Sequence, residues 1–450
     1  MRETFRLAGL DAERYGTRGW NPLRGLVRPG DTVLLKPNLV KERHPRDPAG
    51  WRYVLTHGSV LRAVADYVWI ALEGSGRVLI ADAPQTDSSF DHVVTILGLG
   101  EVRDLLTAHG VPVELIDLRH EQWTERDGVI VERRKLPGDP RGGVTFDLGD
   151  RSEFVGHSGG GRYYGADYDV AELNQHHTGG RHEYRIAGSA IAADVVFSLP
   201  KLKTHKKAGV TVTLKNLVGV NGNKNWLPHH TEGDPRHGGD EHPDPGLVHR
   251  VERRVVAALR RASIALPLVG PWIHRKARGV GKKVFGDTES VVRSGNWSGN
   301  DTVWRMCLDL NKLISYGNAD GTLRPPAPEH RKRHFSLVDG IVAGEGSGPM
   351  NPDPVDAGLI VFGVNAASVD AACAWLMGFD PERVPVVRNA FRARGYPLAE
   401  WSWRDVRVVS NVDAWNARLP EIPDASTYHF RPHFGWARRI ERRAGRGEVA

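Results

Sequence analysis

Ser59-Val-Leu-Arg-Ala-Val-Ala-Asp-Tyr-Val-Trp-Ile-Ala-Leu72, the turn Gly74-Ser-Gly76 and the run Arg77-Val-Leu-Ile-Ala81 decide the fold. Leu61, Val64, Ala65, Val68 and Leu72 fall on one face of a helix, and Ser59 is placed to cap it. Arg77 to Ala81 then reads as a strand. Upstream, Thr32 to Leu35 follows Pro29-Gly30 and predicts the preceding strand. Downstream, a helical stretch around Val93 to His109 leads to a strand at Val113 to Ile116. Strand–helix–strand order with short connections builds a mainly parallel sheet, because parallel neighbours need a crossover between them. The expected class is α/β, with mainly parallel or mixed sheets flanked by helices, in two interleaved lobes around a cleft.

The rest of the chain extends this pattern unevenly. Thr124 to Arg185 is polar, Gly-rich and weakly periodic, and reads as irregular with room for a β-hairpin. Ala193 to Leu199 is a buried strand, followed by mixed core to about Val220 and a His/Gly/Pro-rich loop to Pro245. Val303, Met306, Cys307, Leu310, Leu313 and Ile314 form a helical face, which makes Cys307 a core residue. Strands at His334 to Val338 and Gly358 to Phe362, with a helix from Ala367 to Met377, close the fold. The segments expected are a first lobe (1–120), an irregular insertion (121–190) and a Lys/His-rich core motif with its loop (191–245). A basic amphipathic insertion (246–300), a closing α/β part (301–425) and a basic tail (426–450) follow.

Of 450 residues, 40% are hydrophobic and 26% charged, ordinary globular composition with enough apolar surface for a sizeable core. Two cysteines exclude a disulfide scaffold, a four-Cys zinc site and an intrinsic iron–sulfur cluster. Met1 to Asp11 lacks the apolar core of a secretory signal, so a cytoplasmic location is expected. The formal net charge of +7 is concentrated: residues 246–283 hold ten Arg and Lys against Glu252 alone. There, Val248, Val251, Val255 and Leu259 recur at helical spacing, and Pro267, Pro271 and Trp272 interrupt an apolar run before a second basic cluster. That pattern suits an anionic membrane surface, at the inner face, or an acidic partner; equally, it suits a packed helix with solvated arginines. Charge confined to one segment, with a basic tail of Arg438, Arg439, Arg442, Arg443 and Arg446, is not a nucleic-acid footprint.

The stretch most unusual in chemistry is Leu199-Pro-Lys-Leu-Lys-Thr-His-Lys-Lys-Ala-Gly-Val-Thr-Val-Thr-Leu-Lys-Asn-Leu-Val-Gly219. It follows a strand, and ligand sites of open α/β sheets lie beyond strand C-terminal ends. Alternation sends Lys201, Lys203 and His205 to one side of an extended chain. Thr211, Thr213 and Lys215 share a face, with Asn216 beside them, and Thr204 lies within the first lysine group. Other strand ends carry similar groups: Lys36-Pro37-Asn38, Asp82-Ala-Pro84, and Asp339-Gly340 leading to Glu345-Gly346-Ser-Gly348-Pro349.

These elements in order, with Leu214-Lys-Asn-Leu-x-Gly219 and Ser368-Val-Asp370, resemble the family catalogued as domain of unknown function 362, over roughly Val33 to Pro381. The resemblance implies a shared site without naming a reaction. Some members of that family carry ferredoxin-like cluster domains, for which this chain has too few cysteines.

The function expected is an enzyme acting on a small anionic metabolite bearing phosphate or carboxylate, an isomerase or lyase working by proton transfer. Lys201, Lys203 and Lys215 would hold the anion, Lys36, Asn38, Thr204 and Asn216 would orient it, and the glycines around Glu345 would let backbone approach it. His205 would be the general acid/base, with Asp82 or Asp339 as its partner or as a metal ligand. A crowded lysine could instead serve as base or imine-forming nucleophile. The alternatives are a ligand-binding protein docked on a membrane or partner, and a redox-associated protein served by an external ferredoxin or flavin. His229, His230, His237, Asp240 and His242 are dense enough to supply a divalent metal, yet match no standard spacing, and a polar His-rich loop is the simpler reading. Gly74-x-Gly76 precedes its strand and so does not fit a dinucleotide fingerprint, and no Walker motif is present.

Overall fold

The computed structural model describes residues 1–126, 129–165, 169–243 and 291–442. The basic segment 246–283, with Arg443 and Arg446, lies outside the described residues.

Fifteen strands occur among the described residues. They are β1 (Thr32–Pro37), β2 (Arg77–Asp82), β3 (Val113–Asp117), β4 (Glu121–Arg126) and β5 (Val129–Lys135). Then come β6 (Gly143–Asp147), β7 (Tyr163–Gly165), β8 (Glu183–Ala187), β9 (Val195–Leu199) and β10 (Lys201–His205). The last are β11 (Gly209–Thr211), β12 (Pro228–Thr231), β13 (Arg333–Ser347), β14 (Asn351–Val355) and β15 (Leu359–Gly363). Nine of them form one mixed sheet. β3, β2, β1, β9 and β13 run parallel in that order. β14 and β15 return antiparallel along β13.

The apolar alternation of the parallel strands assigns the two faces. Val33 and Leu35, Val78 and Ile80, and Val195 and Phe197 belong to one apolar core; Leu34, Leu79 and Val196 belong to the other. The first core is closed by helices Gly58–Leu72, Phe90–Leu97 and Leu99–Ala108. The second is closed by helices Val303–Tyr316, Ala366–Leu376 and Pro385–Ala390. The expected two lobes are therefore the two sides of a common sheet. Burial on both faces explains why these strands read as continuous apolar runs.

Three local expectations change. The Gly58–Leu72 helix is capped by His57, whose Nδ1 accepts from the Ser59 amide, so Ser59 lies inside the first turn. The strand beginning near His334 does not stop at Val338: β13 continues through Asp339-Gly340 and Glu345-Gly346, because β10, β14 and β15 supply partners along its length. The polar stretch from Thr124 to Arg185 is also more ordered than its weak periodicity suggests. β4 pairs with β5, β6 with β8, and β7 with β12, each in a small separate sheet.

β9 and β10 form nearly one strand interrupted by Pro200. Ser198 faces Ser336 and Lys201 faces Asp339, so the register against β13 survives the proline. β1 ends opposite Leu199, and β10 runs on past it to pair instead with β11. The step left where β1 and β2 stop and β10 continues positions the groups described next.

Candidate functional site

Lys36, at the end of β1, donates to the Pro37 carbonyl at 2.7 Å and lies 2.8 Å from Asp82 Oδ1 at the end of β2. Asp82 also accepts the amides of Leu39 and Ala83. Lys201, at the start of β10, lies 2.7 Å from Asp339 Oδ2, which also accepts the His57 amide at 2.8 Å. Both pairs are buried. Burial lowers each ammonium pKa from the ordinary lysine value, and the paired carboxylate opposes that shift.

Neither carboxylate is bonded to His205, which corrects the expected His–Asp partnership. Each aspartate is already occupied by a lysine and by backbone amides that anchor the strand ends. His205 Nδ1 instead accepts from the amides of Lys207 and Ala208, at 3.0 and 3.1 Å. This occupancy places the proton of the neutral ring on Nε2. Burial, with Lys215 and His229 adding electrostatic pressure, holds His205 well below the ordinary histidine range. The sequence-predicted general acid/base is thus a neutral N–H donor near pH 7.

The remaining lysines differ. Lys203 is buried; its ammonium donates to the Val54 carbonyl at 2.5 Å and to Asn38 Oδ1 at 3.4 Å. Burial, then repulsion from Lys201 and Lys215, takes its pKa well below the lysine value. Lys215 stays partly open to solvent, and among the described residues it has no ion pair and no hydrogen bond for its ammonium. Its pKa is lowered by burial and, to a lesser extent, by Lys36. Lys207 donates to His230 Nδ1 at 3.1 Å, and its pKa falls to about 7 through burial and the neighbouring Lys206. His229 donates from Nδ1 to the Leu227 carbonyl at 2.8 Å, which leaves its lone pair on Nε2. It too is held well below the histidine range, by burial and then by Lys215 and Lys207.

Asn216 ties these groups to the sheet. Its Nδ2 donates to the Lys36 carbonyl and the Ser198 hydroxyl, and its Oδ1 accepts from Lys36 at 3.4 Å. Gly219 shows why the Leu-Lys-Asn-Leu-x-Gly run ends in glycine. A Cβ there would lie 1.8 Å from Asp82 Oδ1 and 2.8 Å from Lys36 Nζ, while the Gly219 carbonyl accepts the Ala83 amide. The short helix Thr213–Asn216 that carries Lys215 starts on Asp370, whose carboxylate accepts the amides of Thr213 and Leu214 at 2.8 and 3.1 Å. Asp370 is a positioning residue that sequence reasoning recorded only as part of a motif. The Val54 carbonyl was missed; Lys207 is legible in the sequence as one of the clustered lysines, Thr211 as a neighbour on the Lys215 face and His230 as a weak metal candidate, but the contacts that place them at this site are tertiary.

Several predicted residues lie elsewhere. Thr204 points away from Lys203 by strand alternation and donates to the Gly346 carbonyl. Glu345 accepts from the Arg431 backbone amide, and Gly346 donates to the Arg431 carbonyl. Gly348 packs on the Thr204 carbonyl, where a Cβ would come within 1.9 Å. These four hold the β13–β14 hairpin against β10 and are not aimed into the lysine cluster. The weak metal candidates do not converge either. His237 pairs with Asp234, Asp240 accepts the amides of Thr231 and Asp301, and His229 and His230 alternate along β12. Among the described residues, no group of three His, Cys, Asp or Glu side chains could hold a metal ion.

The strand-end signatures that build this cluster are those of a known family: a model of a domain of unknown function (DUF362) matches residues 33–138 and 159–375. The chain belongs to the DUF362 family. A thylakoid-associated protein of Synechocystis is 24% identical over 404 residues, covering 89% of this chain and 81% of that protein. Among solved structures, a Thermotoga maritima protein aligns with a TM-score of 0.33 at 12% identity. That alignment covers 83% of this chain but only 58% of the other, so the chain spans well under two thirds of that protein's length. So loose a likeness adds nothing to the DUF362 fold described above. No helix among the described residues is long and apolar enough to cross a membrane.

Proposed function

We propose that this DUF362 protein is an enzyme that binds a small anionic metabolite at the lysine cluster and moves a proton on it. One observation carries the reading. The Lys215 ammonium, partly open and without an ion pair or hydrogen bond among the described residues, stands within electrostatic reach of Lys203, His205, Lys207 and His229. Gathering lysines in a low-dielectric place with no carboxylate at ion-pair distance among the described residues disfavours the empty site and favours an anion in it.

In this reading Lys215 and Lys203 hold the anion, and His205 Nε2–H donates to charge developing on the substrate. The Nε2 lone pair of His229, or Lys203 in its amine form, receives the abstracted proton. Isomerisation or elimination needs no more than these groups. The test incubates the full chain with phosphorylated and carboxylated metabolites in D2O and follows C–H to C–D exchange by NMR. The expected outcome is exchange on one class of compound, lost in His205→Gln while that compound still binds. Binding without exchange throughout would leave a ligand-binding protein.

A second reading rests on the thylakoid association named for the Synechocystis relative and on the basic segment 246–283. It places the protein at an anionic membrane surface. Sedimentation with anionic vesicles should then fall with added salt and with deletion of residues 246–283.

A further inference from the structure

Resting on the anion-binding reading above, we propose that the bound group is a tetrahedral phosphoryl dianion and that its arrival charges the rim lysines by proton uptake. The sheet end separates two kinds of lysine. Lys36 and Lys201 each face a carboxylate at ion-pair distance. Among the described residues Lys203, Lys207 and Lys215 face none, and their nearest polar partners are a carbonyl, an amide oxygen, a histidine nitrogen and, for Lys215, nothing. Countercharge for these three is therefore left for a ligand to bring in this reading.

The donor chemistry narrows that ligand. Among the described residues, the groups acting on Lys203, His205, Lys215 and His229 include no arginine; every cationic side chain among them is a lysine. The guanidinium fork matches carboxylate and phosphate alike, whereas lysines act as separate point charges, so the preference for a tetrahedral group rests on the further donor beside them. Thr211 adds an independent observation. It faces Lys203 across the β10–β11 pair, so both side chains leave the same face of the sheet. Thr211 is only 2% exposed, and among the described residues its hydroxyl has no hydrogen-bond partner. A buried, orphaned donor beside an unpaired ammonium fits a ligand with several acceptor oxygens, and His205 Nε2–H is a further donor toward it.

Proton uptake follows from the surroundings of the three lysines. Lys203 faces Lys201 and Lys215, with Asp82 attracting it from beyond ion-pair distance, and Lys215 faces Lys36 and Cys307. Lys207 faces Lys206, Lys215 and His230, with Asp240 and Glu241 attracting it from beyond ion-pair distance. Burial is the largest influence on each and disfavours its charged form. A dianion placed among them reverses that balance, and the protons come from the buffer.

The test is titration calorimetry of the full chain with sulfate, a tetrahedral dianion that does not itself titrate near pH 8, in two buffers of different ionisation enthalpy. Malonate, a dicarboxylate of equal charge, is the comparison, and Thr211→Val is the variant. Sulfate is expected to bind at least tenfold more tightly than malonate, with uptake of about one proton. Thr211→Val is expected to weaken sulfate about tenfold while the thermal midpoint stays level or rises, since a buried orphan hydroxyl is removed. A purely structural threonine would not combine those two changes. Malonate binding as tightly as sulfate, no proton uptake, or undiminished sulfate binding by Thr211→Val would each overturn the inference while leaving an anion site. If neither anion binds, the anionic-metabolite reading fails with it.

Discussion

Lys312 is buried and Lys215 only partly open, and the difference between their surroundings shows what the fold itself requires. Lys312 Nζ lies 2.6 Å from Glu153 and 3.6 Å from Asp309, and donates to the Arg151 carbonyl at 2.7 Å. Asp309 in turn accepts the Glu153 amide and the Tyr184 hydroxyl, and burial raises its carboxyl pKa to about 6. Each charge in that region is met by another from the same chain. At the sheet end Lys215 sits among other lysines and, among the described residues, has no ion pair. Lys312 joins the 150s segment to the Val303–Tyr316 helix, which is a structural task. Lys203 ties β10 to the Val54 carbonyl and Asn38 without a carboxylate at ion-pair distance, and in the proposed reading the charge of Lys203 and Lys215 serves a ligand.

The contrast can be broken most forcefully at Lys312. Lys312→Met strands two buried carboxylates and should cost ~3–5 kcal/mol in urea denaturation, while the folded fraction binds sulfate as before. Lys215→Met should do the opposite. Sulfate affinity should fall about tenfold to a hundredfold, the worth of a charge-assisted contact, with unfolding free energy level or improved. If Lys215→Met unfolds the protein, Lys215 belongs with Lys312 and the site reading is lost. Gly219→Ala tests the paired half of the rim: its methyl meets the Lys36–Asp82 pair, and the strain should cost ~1–3 kcal/mol, seen as a lower denaturation midpoint.

The gentlest probe is pH. Lys207 titrates near pH 7 when folded and at the ordinary lysine value when unfolded, so between those values the unfolded chain binds the extra proton. Apo stability from this group should therefore rise as pH increases from about 7 toward 10, and saturating sulfate should flatten that rise. At the acid end, burial depresses His157 and His182 to about 4 and His177 to about 3. Here too the unfolded chain is the better proton acceptor, so stability should fall as pH drops from 6.5 toward 4, with or without sulfate.

Much of this was legible in advance for a local reason. Helical periodicity in 59–72 and apolar runs such as Arg77 to Ala81 are consequences of burying one helix stripe or both faces of a strand. Strand alternation alone put Lys201, Lys203 and His205 on one side. The short pairs β6–β8 and β7–β12 were illegible, because strands of three to five residues carry too few positions to show a period. Glu345-Gly346 looked like a ligand loop because glycine near a carboxylate is shared by sites and tight hairpins alike; its partner Arg431 lies far along the chain.

The sequence by itself therefore determined the α/β class, the family and the stock of cations at the strand ends, since these follow from composition and short-range spacing. Only the tertiary structure decided which lysines are neutralised. Asp82 reaches Lys36 and Asp339 reaches Lys201 across gaps in sequence that sheet register closes, while Lys215 rides on a short helix held by Asp370 with no acid among the described residues brought to ion-pair distance. Charge compensation acts over a few ångströms, and which groups come that close is settled by strand order and register.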